Sequence, residues 1–525
     1  MKKLISANQA ARLIKNEMVV GVTCSYIGGF AEDIAIALEN RYLSEKSPKN
    51  LTLIHATGSG DFKGMGTDHF GHKGLINRLI CGHTSTAPKL ASLVENHEIE
   101  CYFFPQGVII QCFKAIASNR PVVSKVGLNT FVDPRKEGGK VTDITKKELV
   151  QLIELDGSEW LSYSTFPIDI ALIRGSYADE KGNISMKNEA ILLEQFDLAM
   201  GVKNSGGIVI AQVEHVVENN TINSKDVVVP ANLVDFVVIG KSESQRQTIE
   251  EAYNPILSGE IKVPTKFLKG KSKNKKLDVR KVIARRCAME LTENSIVNLG
   301  IGIPQVVSEV ALEEDINEDI VLTTEIGSFG GIPGTGFYFG TTYNAEATFE
   351  MPKMFDFYDG GGLDVAFLGF AQVDKYGNVN VSKFGKKVAG PGGFINISQN
   401  TRKIVFCGTF MHGAKLEITN DKLEIIQEGN VSKFIDDVDQ ITFNGDYADE
   451  LKQEVLYITE RCVFKLIDKE LVLIEVAEGV NVEKDIFPLM GFRPKISENL
   501  KLIDTKIFNE VWGKLSLTNN VPITE

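Results

Sequence analysis

A chain of 525 residues with 43% hydrophobic and 24% charged side chains has the make-up of a folded protein, and it exceeds what one core serves, so two or more domains are expected. The net charge of −12 argues against nucleic-acid or anionic-membrane partners, which favour basic surfaces, although a local basic patch can still hold a small anion. No stretch approaches the ~20 apolar residues of a membrane helix, and the seven cysteines include no C-x-x-C pair, which together predict a cytoplasmic protein with reduced core thiols.

In chain order, apolar strands alternate with amphipathic helices. MVVGVTC (18–24) runs through a glycine turn at Gly28 and Gly29 into the helix AEDIAIALENRYL (31–43). The strands NLTLIHAT (50–57), IECYFFP (99–105), PIDIALIR (167–174) and GGIVIAQV (206–213) follow, with Gln106 placed just after the second of these. The segment 261–286 carries eleven Lys or Arg and one Asp. Its middle, Lys269 to Lys276, has no apolar period and reads as a solvated linker rather than a nucleic-acid contact. Beyond it come the helix VRKVIARRCAMEL (279–291), the strand SIVNLGIG (295–302), the helix PQVVSEVAL (304–312), and the strands DIVLTTE (319–325), LDVAFLGF (363–370) and KIVFCGTF (403–410). Such alternation predicts an α/β fold: open, mainly parallel sheets with helices on both faces. In that architecture ligands bind beyond the carboxyl ends of the strands.

An internal repeat divides the chain. PIDIALIRGSYADEKGNIS (167–185) aligns with GLDVAFLGFAQVDKYGNVN (362–380) at a fixed offset of 195. Asp169, Ala171, Asp179, Gly182 and Asn183 meet Asp364, Ala366, Asp374, Gly377 and Asn378. Two related domains are therefore expected, 1–260 and 277–525, joined by a basic linker over 261–276.

Glu325 closes the apolar run DIVLTTE and precedes the glycine cluster IGSFGGIPGTG (326–336). A carboxylate there can accept a proton, bind a metal or attack an electrophile, and with no His or second carboxylate in the motif, attack is its most natural use. The turn Asn298–Gly302 offers backbone amides to an anion, but Gln305 stands where a dinucleotide fingerprint needs its third glycine. The turns at 26–34 and 390–397, with Gly392 and Gly393, have the same strand-end character. Asp68, His69, His72, Cys81 and His83 lie near one another in sequence, but their spacing matches no zinc motif. No G-x-S-x-G elbow, Walker loop or H-E-x-x-H occurs.

The segments VNLGIGIP, TTEIGSFGG, GGGLDVAFLGFAQVDKYGNVNVSKFG and GPGGFINISQNTRKIVFCGTF in the second half, with SKVGLNTFVDPRKEGGK and ALIRGSYADEKGNISM in the first, resemble family I CoA-transferases of the fused acetate or propionate type. The resemblance covers nearly the whole chain. It implies an alpha-subunit-like domain followed by a beta-subunit-like domain that carries the catalytic glutamate, Glu325. It implies further that Gln106 lies near the reacting carbonyl, that Gly392 or Gly393 helps hold the oxyanion, and that Asn298, Leu299, Gly300, Ile301 and Gly302 contact CoA. Gly28 and Gly29 would border the substrate. Cys24, Ser25 and Tyr26 stand before them where smaller residues are usual, which bears on the shape of the acyl pocket. Coenzyme A is then a co-substrate, no tightly bound cofactor is needed, short acyl-CoA and carboxylic acids are the partners, and self-association is expected. A thioester hydrolase and a non-catalytic ligand-sensing module are the rival readings.

Overall fold

The structure is a computed structural model that describes residues 1–269, 277–419, 422–513 and 515–518. Seven strands of the first half form one sheet: β1 (Val19–Val22), β2 (Leu51–His55), β3 (Ile76–Cys81), β4 (Glu100–Phe103), β5 (Ile170–Arg174), β6 (Ile208–Val213) and β7 (Phe236–Ile239). Their order is β7-β6-β5-β1-β2-β3-β4, and every pairing is parallel. β2 and β5 are buried at every position, as strands covered on both faces must be. Helices α1 (Glu32–Glu45), α2 (Gln106–Ala117) and α3 (Gln195–Asn204) follow β1, β4 and β5, and α2 packs on α3.

After α4 (Val279–Ala288), the second sheet is built on β8 (Ile296–Leu299), β9 (Val321–Thr323), β10 (Val365–Gly369), β11 (Lys403–Cys407) and β12 (Glu454–Ile458). These five pair in parallel in the order β9-β8-β10-β11-β12. α5 (Val306–Glu313) links β8 to β9, α6 (Met351–Asp359) precedes β10, and α7 (Phe394–Asn400) precedes β11.

The sheet is mainly parallel, as expected, and turns antiparallel at both ends. Beyond β12 come β13 (Cys462–Ile467) and β14 (Glu470–Val476), both antiparallel, and then β15 (Lys495–Leu502), parallel to β14. Beyond β9 the short strands Ser328–Phe329 and Ala347–Thr348 are antiparallel as well. The connections explain the change. Only Asp468 and Lys469, at φ 49° and 65°, separate β13 from β14. Two residues of positive φ make a hairpin turn and cannot make the long crossover a parallel pair requires.

The repeat is a repeat of function within the fold. Asp169 accepts the Val19 N–H at 2.7 Å at the start of β1, and Asp364 accepts the Ile296 N–H at 2.9 Å at the start of β8. Asp179 receives the amides of Lys181, Gly182 and Asn183 and the Asn183 side chain, all at 2.7–3.0 Å. Asp374 receives those of Tyr376 and Asn378 and the Asn378 side chain. Gly182 and Gly377 both sit at positive φ, 100° and 74°, which the Gly-Asn pair permits.

Within the basic segment 261–276, Thr265–Lys269 form a short helix, and residues 270–276 lie outside the described residues. The halves share buried surface: Met351, Phe355 and Ile395 of the second belong to the apolar core of the first. Burying side chains of this size contributes roughly 2 kcal/mol each before entropy is counted.

Candidate active site

A cavity of about 380 Å³ opens between the two halves at the carboxyl ends of β8, β9 and β10. Glu325 stands two residues beyond β9 and is 8% exposed. The strand ends there because a tight turn returns the chain: Thr324 donates its N–H to Ser328 at 3.1 Å, and Gly327 adopts φ 131°. A Cβ at Gly327 would stand 2.0 Å from the Phe349 carbonyl oxygen, so only glycine fits. Burial pushes the Glu325 carboxyl above its ordinary range, and hydrogen bonding to Asn298 opposes that shift in part.

Asn298 lies on β8 opposite Thr323 and is 1% exposed. Its Nδ2 donates to the Tyr358 hydroxyl at 3.3 Å, which lies 2.8 Å from Thr323 Oγ1, while Asn298 Oδ1 has no partner among the described residues. Desolvation raises the Tyr358 phenol well above its usual value, and the nearby Glu325 charge adds to this. The carboxylate therefore rests on a dry floor of neutral polar groups.

The first half contributes the facing wall. Gln106 begins α2 directly after Pro105, and its N–H donates to the Gly392 carbonyl at 2.9 Å. Its Nε2 lies 3.2 Å from Met351 Sδ. Gly107 brings the halves into close contact: a Cβ there would come within 2.5 Å of Asn396 Nδ2 and 2.6 Å of the Phe355 ring. The Gly107 N–H donates to Asn396 Oδ1 at 3.1 Å, and Asn396 Nδ2 donates to Asp359 at 2.9 Å. Burial pushes Asp359 up to about 7.

The structure distributes the expected residues unevenly. Glu325, Gln106, Asn298, Gly300, Ile301, Gly392 and Gly393 line the cavity. The Gly392 N–H is already donated to Gly82 at 2.7 Å, so of the two glycines only Gly393 has an amide without a backbone acceptor among the described residues. Leu299 is 6% exposed and belongs to the core beneath the turn. Gly302, at φ 95°, opens instead on a separate cavity of about 350 Å³ beside Arg280 and Lys281. Gly28 and Gly29 are not on the cavity wall. Side chains there would run into Ile191 and Leu193, so these glycines serve close packing.

The five metal-compatible residues 68–83 are dispersed. His69 bridges Glu32 at 2.7 Å and Glu39 at 2.5 Å, and His72 reaches Glu39 at 2.6 Å. Asp68 accepts the Lys89 N–H, Cys81 is buried on β3, and His83 lines the cavity. Among the described residues no three His, Cys, Asp or Glu side chains are grouped to hold a metal ion.

Several wall residues escaped the sequence reading as site residues: Thr57, His83, Phe339, Phe370 and Phe384. They lie far apart in sequence, and although Phe370 and Phe384 fall within the segment 360–385 that carries the resemblance, no local pattern marks any of them as cavity-lining. Desolvation lowers the His83 imidazole to about 4, so it stays neutral on the cavity wall at physiological pH. Ser25 and Tyr26 did carry a signal, their bulk before the glycine turn.

A model of the coenzyme A transferase family matches residues 4–240. A caffeate CoA-transferase of Acetobacterium woodii is 45% identical over 522 residues, 98% of this chain and 99% of its own. The acetate CoA-transferase YdiF of Escherichia coli (strain K12) is 40% identical over 511 residues, 96% and 95% of the two chains. The crystal structure of an acyl-CoA transferase from E. coli O157:H7 as a thioester complex with CoA superposes with a TM-score of 0.92, at 38% identity and 98% coverage of both chains. Relatives of this kind favour CoA transfer over thioester hydrolysis or ligand sensing. No helix among the described residues is long and apolar enough to cross a membrane.

Proposed function

Because this chain belongs to the coenzyme A transferase family and is an enzyme of CoA transfer, we propose that it exchanges CoA between short carboxylic acids, of the acetate, propionate and butyrate class, with Glu325 as the covalent nucleophile. The observation that carries this reading is the buried Glu325 carboxylate, raised by desolvation, in a cavity walled by both halves.

A Glu325 oxygen attacks the acyl-CoA carbonyl carbon, and the C–S bond breaks to give an acyl-glutamyl anhydride and CoA thiolate. The thiolate then attacks the glutamyl carbonyl, which forms the glutamyl-CoA thioester and releases the first acid as its carboxylate. An incoming carboxylate attacks that thioester and expels the thiolate, and the thiolate takes the new acyl group from the resulting anhydride. Glu325 is restored. No net proton or electron is consumed, so no redox cofactor is called for, and the attacks and departures above are complete with the carboxylate, the thiolate and the two acids; CoA is a co-substrate.

Each attack builds charge on a carbonyl oxygen. The Gly393 N–H and the Gln106 side-chain amide are the donors best placed for it, and one such donor is worth about 3–4 kcal/mol in the transition state. A hydrated carboxylate is a weak nucleophile, so the dry floor at Asn298 and Tyr358 serves the first step. Gly300 and Ile301 border the entry for CoA in this reading.

The same reading divides the chain into an alpha-like domain, 1–260, and a beta-like domain, 277–525. The family match over 4–240 and the two separate sheets support it. We place the protein in the cytoplasm as a homo-oligomer. Incubation with acetyl-CoA, followed by peptide mass spectrometry, tests the chemistry: the peptide containing Glu325 gains the mass of CoA less water. Transfer that proceeds with that peptide unmodified at every stage refutes the assignment.

A further inference from the structure

Tyr26 adopts φ 51°, a left-handed conformation that a bulky side chain adopts only when its surroundings enforce it. Backbone bonds do enforce it. The Tyr26 N–H donates to Gly58 at 2.9 Å, and its carbonyl accepts the Gly60 N–H at 2.8 Å. The ring thus projects into the cavity that holds Glu325, with its centroid 6.2 Å from Phe62 and 6.4 Å from Phe339 in an edge-on arrangement. Its hydroxyl has no hydrogen-bond partner among the described residues, so the phenol is not retained to complete an internal network.

Phe339 comes from the second half, on the loop that follows the glycine cluster. That loop is fixed to the Glu325 turn: Thr324 Oγ1 donates to the Gly340 carbonyl at 3.5 Å, and Ile326 Cγ1 lies 3.0 Å from where a Cβ at Gly340 would stand. Ser25 Oγ is 3.7 Å from the same point, so the first-half turn and this loop face each other directly. Two aromatic rings, one from each half and each on a backbone anchored near the carboxylate, meet on one side of the cavity.

We propose that Tyr26 and Phe339 together form the wall that sets the size of the acid admitted beside Glu325. The proposal deepens the CoA-transfer reading and rests on it. With both rings in place, a small acid reaches the carboxylate and a bulky one meets the aromatic edge. Glycine at position 26 removes the ring and suits the left-handed backbone, so the turn is preserved.

The test is a set of Tyr26→Gly, Tyr26→Phe and Phe339→Ala proteins assayed with acetyl-CoA as donor. Acetate (isotopically labelled), butyrate, hexanoate and 3-phenylpropenoate serve as competing acceptors. Tyr26→Gly and Phe339→Ala are each expected to raise the kcat/KM ratio of the bulky acids to acetate by about tenfold or more, the scale on which apolar pockets discriminate. Tyr26→Phe keeps the size profile of the unaltered protein, because the ring and not the hydroxyl is the barrier. A profile unchanged in both the Gly and Ala proteins, with transfer intact, overturns the proposal and leaves the CoA-transfer reading standing. Absence of transfer with any acid in the unaltered protein overturns both. Phe339→Ala lies on a different loop and decides the matter if the Tyr26→Gly protein does not fold.

Discussion

Glu194, which stands at the start of α3, is 1% exposed, and neither of its carboxylate oxygens has a side-chain hydrogen-bonding partner among the described residues. Desolvation raises it from 4.5 to about 8, so the folded protein keeps it protonated at neutral pH while the unfolded chain ionises it. A raised carboxyl gives its full stabilisation below the unfolded pKa and loses it as pH climbs through the folded one. Each pH unit in that window changes stability by about 1.4 kcal/mol, so from pH 5 to pH 8 the loss amounts to roughly 4 kcal/mol. Glu194→Gln keeps the shape and removes the titration. Urea denaturation of both proteins at half-unit steps from pH 5 to pH 8 isolates the group, because all other titrations cancel in the difference. The substituted protein gains on the parent as pH rises, most steeply between 5 and 8. Two curves that stay parallel over this range refute the burial argument. Around it, Leu193 packs against Gly29, and Gln195 Oε1 accepts the Leu193 N–H at 3.1 Å.

Four further outcomes are expected. Glu325→Ala lowers kcat by about 10⁴-fold or more while circular dichroism stays unchanged, as loss of a covalent nucleophile requires; retention of most activity refutes its role. In the parent protein, kcat/KM falls on the acid side with a midpoint above the 4.5 of an ordinary Glu, because the raised carboxyl must be ionised to attack; a pH–rate profile over pH 4–8 locates it. Gln106→Ala reduces kcat by about 10²-fold with a smaller change in KM, which steady-state kinetics resolve. Asp374→Ala strips three hydrogen bonds from the turn at Gly377 and lowers the stability of the second half by about 2–3 kcal/mol, readable as a shifted urea midpoint.

Much of the scaffold was legible because it depends on local pattern. Apolar runs such as 167–174 and 403–410 became central strands, since a strand buried on both faces must be apolar throughout. The offset between Asp169 and Asp364 identified two carboxylates that anchor equivalent strand starts. Glu325 was visible because a charged residue ending such a run has few structural uses. Other features depend on contacts that no local pattern encodes. The antiparallel edge at β13 and β14 turns on Asp468 and Lys469, two residues without the usual Gly or Asn of a tight hairpin. That the Gly392 amide is consumed by Gly82, whereas that of Gly393 is free of such a bond, follows from the docking of the halves. Thr57, His83 and Phe339 reach the cavity from three separate loops, and only the folded chain brings them together.

The bonds from Gln106 to Gly392 and from Gly107 to Asn396 join segments that belong to different sheets. In a single polypeptide these partners are held at a fixed effective concentration, set by the length of chain between them and not by how much protein is in solution. A pair of separate subunits must find each other before either owns half of a reaction centre, and dilution separates them. Here the two surfaces are made in equal number and at once, so completeness of the centre survives any dilution that the fold itself survives.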